Sequence, residues 1–204
     1  MKTICDNWAD RLAAVADGKR LFPEFQTRAT AVAGEVIHVT SDQQAVQAVK
    51  DLITSLKAKK IVAVECPLQR SAGLHAAIAA MDVELYTDKA AIAAHAETAD
   101  IGISGVEFGI AETGSVCQDA YAVESRLVST LTPIHVVFLD SSRIVPGVAE
   151  AFEVISPAFN QGYLSFITGP SRTADIERVL TIGVHGPSRF IIIAIDKQSQ
   201  GGGK

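Results

Sequence analysis

A short polar turn, residues 168–173, carries the side chains best suited to binding a small acid. It follows an apolar run, residues 163–167, that is typical of a β-strand. The turn offers hydroxyl groups, a glycine that lets a ligand approach the backbone, and a planar forked donor: Thr168, Ser171, Thr173, Gly169 and Arg172. Ligands in open α/β sheets bind beyond the carboxyl ends of strands, so we predict a substrate site in this turn.

Arg172 has two possible roles. It can clamp a substrate carboxylate with two parallel hydrogen bonds. Alternatively, it pairs with Asp175 or Glu177, which fall in the first turn of a predicted short helix. Because these acids already complement the positive end of that helix, a small carboxylate suits the turn better than a polyphosphate.

A second glycine-rich stretch, residues 105–115, contains Glu107 and Glu112. A carboxylate here can act as a nucleophile or a general base if burial or neighbours adjust its pKa. We select Glu112 as a catalytic candidate and expect Thr113, Gly114 and Ser115 to bind substrate beside it. The alternative is that Glu112 caps its own turn by accepting hydrogen bonds from the amides of residues 113–115.

His185 is the second catalytic candidate. It lies in a tight turn before Gly186 and Pro187, and a histidine near neutral pKa can move a proton. By contrast, His135 falls within an apolar strand and is predicted to be a hydrogen-bonded structural residue. We expect the same of His38 and His95.

The sequence lacks the common cofactor motifs. It contains no GxxxxGK[ST], GxGxxG or HExxH pattern. The three cysteines, Cys5, Cys66 and Cys117, are far apart and form no metal-ligand spacing, so we predict free thiols, with Cys66 and Cys117 packed as apolar groups. Because iron–sulfur clusters usually need four thiolates, we expect no cofactor and no metal in this chain.

Composition limits the class of partner and the location. The formal net charge of −5 over 204 residues is spread along the chain, which argues against a nucleic-acid partner. No apolar run approaches the roughly 18 residues of a membrane span, and Asp6 and Asp10 interrupt any signal peptide. We therefore expect a cytoplasmic protein.

Strand and helix patterns alternate along the chain. Strands are predicted at residues 35–39, 61–64, 83–86, 100–104, 132–139 and 189–195, and helices at 5–16, 41–60, 74–81, 88–96 and 148–154. Short connections between them indicate an α/β fold with a mainly parallel sheet covered on both faces.

Three regions are expected along the chain. Residues 1–34 form an amino-terminal helix that ends at Gly18, and then an apolar linker at residues 22–25. Residues 35–197 form the main domain, and residues 198–204 a disordered tail. The linker is equally suited to docking on the core or on another subunit, which leaves a homo-oligomer open.

Three stretches resemble the lactate utilisation protein C family, which shares the LUD domain. The first, Gly-Ile-Ala-Glu-Thr-Gly-Ser at residues 109–115, resembles the family's Ala-Glu-Thr-Gly motif. The second, from Arg126 to residues 133–136, resembles its entry into a strand. The third and most specific comprises residues 167–177 and 183–187. The resemblance covers roughly residues 35–195.

This resemblance implies a three-layer α/β/α fold similar to the NagB, RpiA and coenzyme A transferase group. It also implies a role in oxidising L-lactate to pyruvate, as a non-redox subunit of a complex whose partner subunits carry iron–sulfur clusters. On this hypothesis Arg172 holds the lactate carboxylate, the turn hydroxyls hydrogen-bond it, and His185 or Glu112 takes the hydroxyl proton.

Two other hypotheses stay open. By analogy with coenzyme A transferases of this fold, the chain is a stand-alone acyl transferase or hydrolase with Glu112 as nucleophile. Because fold does not imply function, this rests on analogy alone. The remaining hypothesis is a non-catalytic scaffold or ligand-binding subunit, in which the two turns only pack.

Overall fold

The computed structural model describes residues 3–158, 162–174 and 180–196. In chain order its strands are β1 (Gly34–Val39), β2 (Lys60–Ala63), β3 (Glu84–Tyr86), β4 (Ile101–Gly105), β5 (Phe108–Ile110), β6 (Ser115–Asp119), β7 (Ile134–Asp140), β8 (Ile144–Val145), β9 (Leu164–Ile167), β10 (Arg172–Ala174), β11 (Leu180–Ile182) and β12 (Arg189–Ile195). The helices are α1 (Trp8–Leu12), α2 (Gly18–Ala31), α3 (Asp42–Leu56), α4 (Pro67–Ser71), α5 (Leu74–Ala79), α6 (Lys89–His95), α7 (Val123–Leu131) and α8 (Val148–Ile155), with 3₁₀ turns at Ala96–Thr98 and Ser156–Ala158.

A six-stranded parallel sheet forms the centre of the fold, in the order β1-β12-β7-β4-β2-β3. Side chains of β7 alternate between its two faces. Val136 and Phe138 pack with α3 and α5 on one face, whereas Val137 and Leu139 pack with α2 on the other. Both faces are therefore covered, and the predicted three-layer α/β/α fold is confirmed.

A second sheet of four strands lies outside α2, in the order β8-β5-β6-β9. Val116 of β6 and Ile144 of β8 pack with Phe25 of α2. On its other side the sheet packs with α1 and α8 through Phe108 and Cys117. The stretch at residues 105–115, predicted as a loop or a broken element, therefore includes a strand and the hairpin from β5 to β6.

The predicted helix start at Ser41 is confirmed. Ser41 Oγ accepts a hydrogen bond from Gln44 N (3.2 Å) and caps α3. The Gln44 side chain accepts from Thr40 N (2.9 Å) rather than from the amide of Ser41, so the reciprocal bond of the capping box is shifted by one residue.

The predicted amino-terminal helix is confirmed in part, since α1 lies within residues 5–16, but the predicted linker at residues 22–25 is wrong. Helix α1 ends at Leu12, and Gly18 begins α2 instead of ending a helix. Asp17 caps α2 by accepting from Arg20 N (3.3 Å). Phe22 and Phe25 lie on the buried face of α2 despite Pro23 within it, because packing on the sheet outweighs the hydrogen bond that proline removes.

The segment after residue 162 also differs from its prediction. Strand β9 forms where the apolar run predicts it, but it pairs with β6 in the four-stranded sheet. The predicted helix after the turn is wrong at its start, because Arg172–Ala174 is β10 and pairs with β11. Residues 175–179 of that prediction, and the predicted tail at 198–204, lie outside the described residues.

The proposed division into residues 1–34, 35–197 and 198–204 stays a prediction. Within the described part of the chain, no helix combines the length and apolar character needed to cross a membrane.

Candidate active site

The predicted turn, residues 168–173, lies at the amino edge of the six-stranded sheet. A Cβ on Gly169 would lie 2.2 Å from the carbonyl oxygen of Val32, just before β1. Ser171 N donates to Pro187 O (2.8 Å), just before β12. The expectation that this turn follows a strand of the parallel sheet is therefore wrong, since β9 belongs to the four-stranded sheet.

The structure brings the two predicted turns together. Ser115 Oγ lies 2.7 Å from Thr168 Oγ1. Thr113 Oγ1 accepts from Ser115 N (3.3 Å), and Gly114 adopts a φ of +67° against the backbone of Ala29. Ser115 hydrogen-bonds to both Thr113 and Thr168. This contact therefore holds the two turns together, in addition to being a predicted binding surface.

Arg172 bonds to the backbone. Its Nη2 donates to Val32 O (2.6 Å), and the side chain is exposed. The alternative partners Asp175 and Glu177 lie outside the described residues. Thr173 pairs with Thr181 in the hairpin of β10 and β11. A role for Arg172 and Thr173 in binding substrate stays a prediction.

Glu112 caps a helix. Its Oε2 accepts a hydrogen bond from Val148 N (3.0 Å), the first residue of α8. The position is favourable because a carboxylate at a helix amino terminus complements the dipole. The alternative of a cap on the amides of residues 113–115 is wrong, since Ser115 N bonds to Thr113. A catalytic role for Glu112 stays a prediction.

His185 lines a shallow groove at the amino edge, together with residues such as Glu97, Thr130 and Pro133. Its side chain is exposed. The neighbouring Gly186 packs on Ser171, where an added Cβ would lie 3.0 Å from Ser171 Cβ. The structure therefore places His185 beside the predicted turn, and its catalytic role stays a prediction.

A more enclosed cavity of about 350 Å³ lies at the opposite, carboxyl edge of the sheet. Its walls come from the residues that follow β2, β4 and β7, together with strand β6 and the amino-terminal segment at residues 3–9. Its polar lining includes Glu65, Cys66, Glu107, Asp119, Asp140 and Arg143. This is the edge at which ligands bind in open α/β sheets, and we call this cavity the carboxyl-edge pocket.

Glu107 is the most perturbed carboxyl group of this pocket. Burial raises its pKa to about 7, with a further rise from Asp119 and an opposing effect from Arg143. Within the described part of the chain, no group hydrogen-bonds its carboxylate. Glu107 can therefore hold or release a proton near neutral pH, the property that a general acid or base requires.

Arg143 supplies the pocket's cation. Its Nε lies 3.5 Å from Asp140 Oδ2, and no described residue hydrogen-bonds its guanidinium. The other carboxylate, Asp119, accepts from Ile4 N (2.6 Å) and from Tyr121 N (3.2 Å). Asp119 is thus bonded to backbone, whereas Arg143 keeps donors for a ligand.

Trp8 closes one wall of the pocket from α1. The residue is 5% exposed and packs on Phe108, with ring centroids 6.2 Å apart. Its indole Nε1 is buried with no hydrogen-bond partner among the described residues. A buried donor without a partner in a pocket wall is unusual, because such groups are normally satisfied.

Cys66 lines the same pocket where α4 begins. Burial raises the pKa of its thiol to about 11, so the thiol is neutral at physiological pH. A Cβ on Gly105 would lie 2.5 Å from Cys66 Cβ, which explains why a glycine ends β4. Cys117 is buried, and burial raises the pKa of its thiol as well. The predicted apolar packing of Cys117 is confirmed, whereas Cys66 is only partly buried.

His135 is the structural residue that the sequence predicts. It is fully buried, and its Nε2 lies 2.8 Å from Ser104 Oγ. Burial lowers its pKa to about 3, so the ring is neutral. Ser104 Oγ also accepts from Gln118 Nε2 (2.9 Å). His135, Ser104 and Gln118 thus form a hydrogen-bonded series of side chains next to the pocket, which Ser104 lines.

Within the described residues, no three histidine, cysteine or acidic side chains are placed to hold a metal ion. Glu107 is named but not selected as a site residue from the sequence, and Arg143, Asp119 and Trp8 are not identified from it. The sequence feature that could identify Glu107 and Arg143 is their position, since each closely follows a predicted strand of the parallel sheet.

Comparisons with known proteins agree with this architecture. Residues 22–195 match the LUD domain family. A lactate utilization protein C from Oceanobacillus iheyensis is 30% identical over 177 residues, which cover 79% of this chain and 76% of that protein. Another from Shouchella clausii is 28% identical over 197 residues, 87% of this chain and 86% of that protein.

A third lactate utilization protein C, from Anoxybacillus flavithermus, is 37% identical over 100 residues. That match spans 46% of its length, less than half. A crystal structure of a DUF162 family protein from Deinococcus radiodurans is 18% identical, with a TM-score of 0.61, and covers 88% of this chain and 98% of that one. At this identity the likeness concerns the fold alone.

The fold and the pocket define a class of three-layer α/β protein with a cavity at the carboxyl edge of a parallel sheet. Within that class, the chain belongs to the LUD domain family.

Proposed function

We propose that the protein acts in lactate utilisation, as a subunit that works with iron–sulfur partner proteins when L-lactate is oxidised to pyruvate. The observation that carries this is the similarity, over most of both chains, to proteins named lactate utilization protein C. The cysteines support a division of labour, since Cys5, Cys66 and Cys117 have no cluster-type spacing. The expected location is the cytoplasm.

The carboxyl-edge pocket is the place that the geometry supports best for a small acid. Arg143 can bind a carboxylate, and Glu107 can exchange a proton with a hydroxyl group. The predicted turn at residues 168–173 is the second candidate place, with Arg172 for the carboxylate and His185 nearby. The two sites lie at opposite edges of the sheet, so variants separate them.

Growth on L-lactate tests both the role and the site. We expect deletion of the gene to abolish growth on L-lactate but not on pyruvate, and the wild-type gene to restore it. Arg143→Gln should fail to restore growth and Arg172→Ala should succeed, with thermal unfolding confirming that both variants fold. Restored growth with Arg143→Gln and none with Arg172→Ala would move the site to the turn. Unchanged growth after deletion would refute the proposed role.

Affinity purification of the tagged chain from lactate-grown cells tests the partners. We expect copurifying proteins with the visible absorption of iron–sulfur clusters and lactate-dependent dye reduction. A colourless preparation without partners would refute the subunit role.

The alternative of a stand-alone transferase or hydrolase is tested with acyl thioesters. A covalent adduct on Glu112, detected by mass spectrometry, would support it. The carboxyl-edge pocket adds Glu107 as a second carboxyl group to inspect, because it lies free in a cavity, whereas Glu112 caps α8.

A further inference from the structure

We infer that the carboxyl-edge pocket is a proton-coupled site for a small monocarboxylate, in which Arg143 binds the carboxylate and Glu107 takes up a proton as the anion enters. This deepens the proposed function and rests on it for the choice of L-lactate as probe. It adds coupling between ligand binding and proton uptake to the roles proposed for Arg143 and Glu107.

Polar side chains that make no hydrogen bond to described residues converge on the carboxyl-edge pocket. Glu107 and Arg143 make no side-chain hydrogen bond with any described residue, and the buried Trp8 Nε1 has no partner there either. All three residues line one cavity of about 350 Å³. Beside its ion pair with Asp140 (3.5 Å), Arg143 keeps guanidinium donors, and together with the ionisable Glu107 they match a carboxylate that carries a neighbouring hydroxyl.

The charges around Glu107 also favour its neutral form. The groups that face Glu107 are Asp119 and Cys117 of β6, Asp140 and Arg143 at the end of β7, Glu65 and Cys66 before α4, and Asp6 of the amino-terminal segment. Arg70 pairs with Glu65 (2.6 Å), and both thiols are neutral. Arg143 is thus the cation facing Asp119 and Asp140, so an entering anion is repelled less strongly when Glu107 is neutral.

The protonation of Glu107 links anion binding to pH. Glu107 already holds its proton up to a pH of about 7, because burial and Asp119 disfavour its charge. A bound anion adds to that effect and raises its pKa further. By linkage, the affinity for the anion must rise as pH falls through the pKa of the free site.

The experiment is calorimetric titration of the full chain with L-lactate at pH 6 and pH 8, each in two buffers of different ionisation enthalpy. We expect about tenfold tighter binding at pH 6, and net proton uptake at pH 8. Propane-1,2-diol, which lacks the carboxylate, should bind weakly and without pH dependence. No L-lactate binding, or binding without proton uptake, would overturn the inference.

Glu107→Gln keeps the shape of the protonated acid. We expect it to bind L-lactate at pH 8 about tenfold more tightly than the wild type, and to change by less than about twofold between pH 6 and pH 8. Glu24→Gln, on the exposed surface of α2, is the matched control and should keep the wild-type profile. If Glu107→Gln retains the wild-type pH dependence, another group takes the proton and the assignment fails.

The two proposals fail separately. Loss of growth on L-lactate after gene deletion, combined with no pH-linked binding to the purified chain, would leave the role standing and remove this site. Proton-coupled binding of L-lactate to the purified chain, combined with unchanged growth after deletion, would support this site and refute the role in lactate utilisation.

Discussion

Ser115 Oγ and Thr168 Oγ1 lie 2.7 Å apart and join two turns separated by 53 residues of chain. Ser115 is buried, whereas Thr168 is exposed. The bond continues the pairing of β6 with β9, in which Val116 faces Ile167. It therefore fixes the end of an edge strand to the centre of the four-stranded sheet.

A double-mutant cycle measures this bond. We expect Ser115→Ala and Thr168→Val to be non-additive in the free energy of unfolding, with a coupling of about 0.5–1.5 kcal/mol, the usual net value of one hydrogen bond. Urea unfolding of the four proteins gives the result. Strictly additive effects would show that the hydroxyls do not bond in solution.

Gly114 and Gly73 form a matched pair of glycines. Their φ angles are +67° and +65°, but a Cβ on Gly114 would lie 2.1 Å from Ala29 N, whereas Gly73 has open space. We expect Gly73→Ala to cost about 1 kcal/mol for its left-handed backbone, and Gly114→Ala clearly more because α2 must move. Equal losses in urea unfolding would contradict the packing of this turn on α2.

Glu107 makes the stability of the chain depend on pH. Its pKa is raised from 4.5 to about 7 in the folded state. The contribution of Glu107 to the free energy of unfolding is therefore fully present below its unfolded pKa and is lost as pH rises through about 7. Above that pH the folded state must ionise a buried carboxyl group. We expect Glu107→Gln to stabilise the protein by about 1–3 kcal/mol at pH 8 and by less at pH 5.

The measurement is urea unfolding at both pH values, with Glu24→Gln as control. A variant that is equally stabilised at pH 5 and pH 8, or destabilised at pH 8, would show that Glu107 is ionised at no cost in the native pocket.

Cys66 should react slowly despite lining a pocket. Because burial raises its thiol pKa to about 11, we expect alkylation by iodoacetamide to increase about tenfold per pH unit between pH 7 and pH 9, as the thiolate fraction grows. Peptide mass spectrometry follows the site, and the buried Cys117 is the internal reference and should stay unmodified. Fast, pH-independent labelling of Cys66 would indicate an activated thiolate.

Local patterns predict the central sheet well. Strand β7 is a continuous apolar run, and α3 has a serine cap and an apolar face, so short-range rules are sufficient there. Helix α2 was missed because Pro23 favours a break and only contacts with distant strands reveal its buried face. Whether such a segment forms a helix depends on tertiary packing, which local sequence patterns do not show.

The site is harder to predict, for a physical reason. Ser115 and Thr168 both belong to stretches that the sequence selects, but their contact is found only in the structure. Likewise, Glu107, Arg143 and Trp8 line the same cavity only because β4 and β7 are neighbours and α1 packs on the four-stranded sheet. Strand order is a long-range property, and no spacing within the sequence encodes it directly.

The two opposite edges of the parallel sheet have a further consequence. Strands β7 and β12 connect them through residues that are almost all buried, and a packed sheet of this kind deforms little. Substitutions at the amino edge, around Arg172, should therefore have little influence on the pKa of Glu107 at the carboxyl edge. The two edges are therefore expected to tolerate sequence change independently of each other.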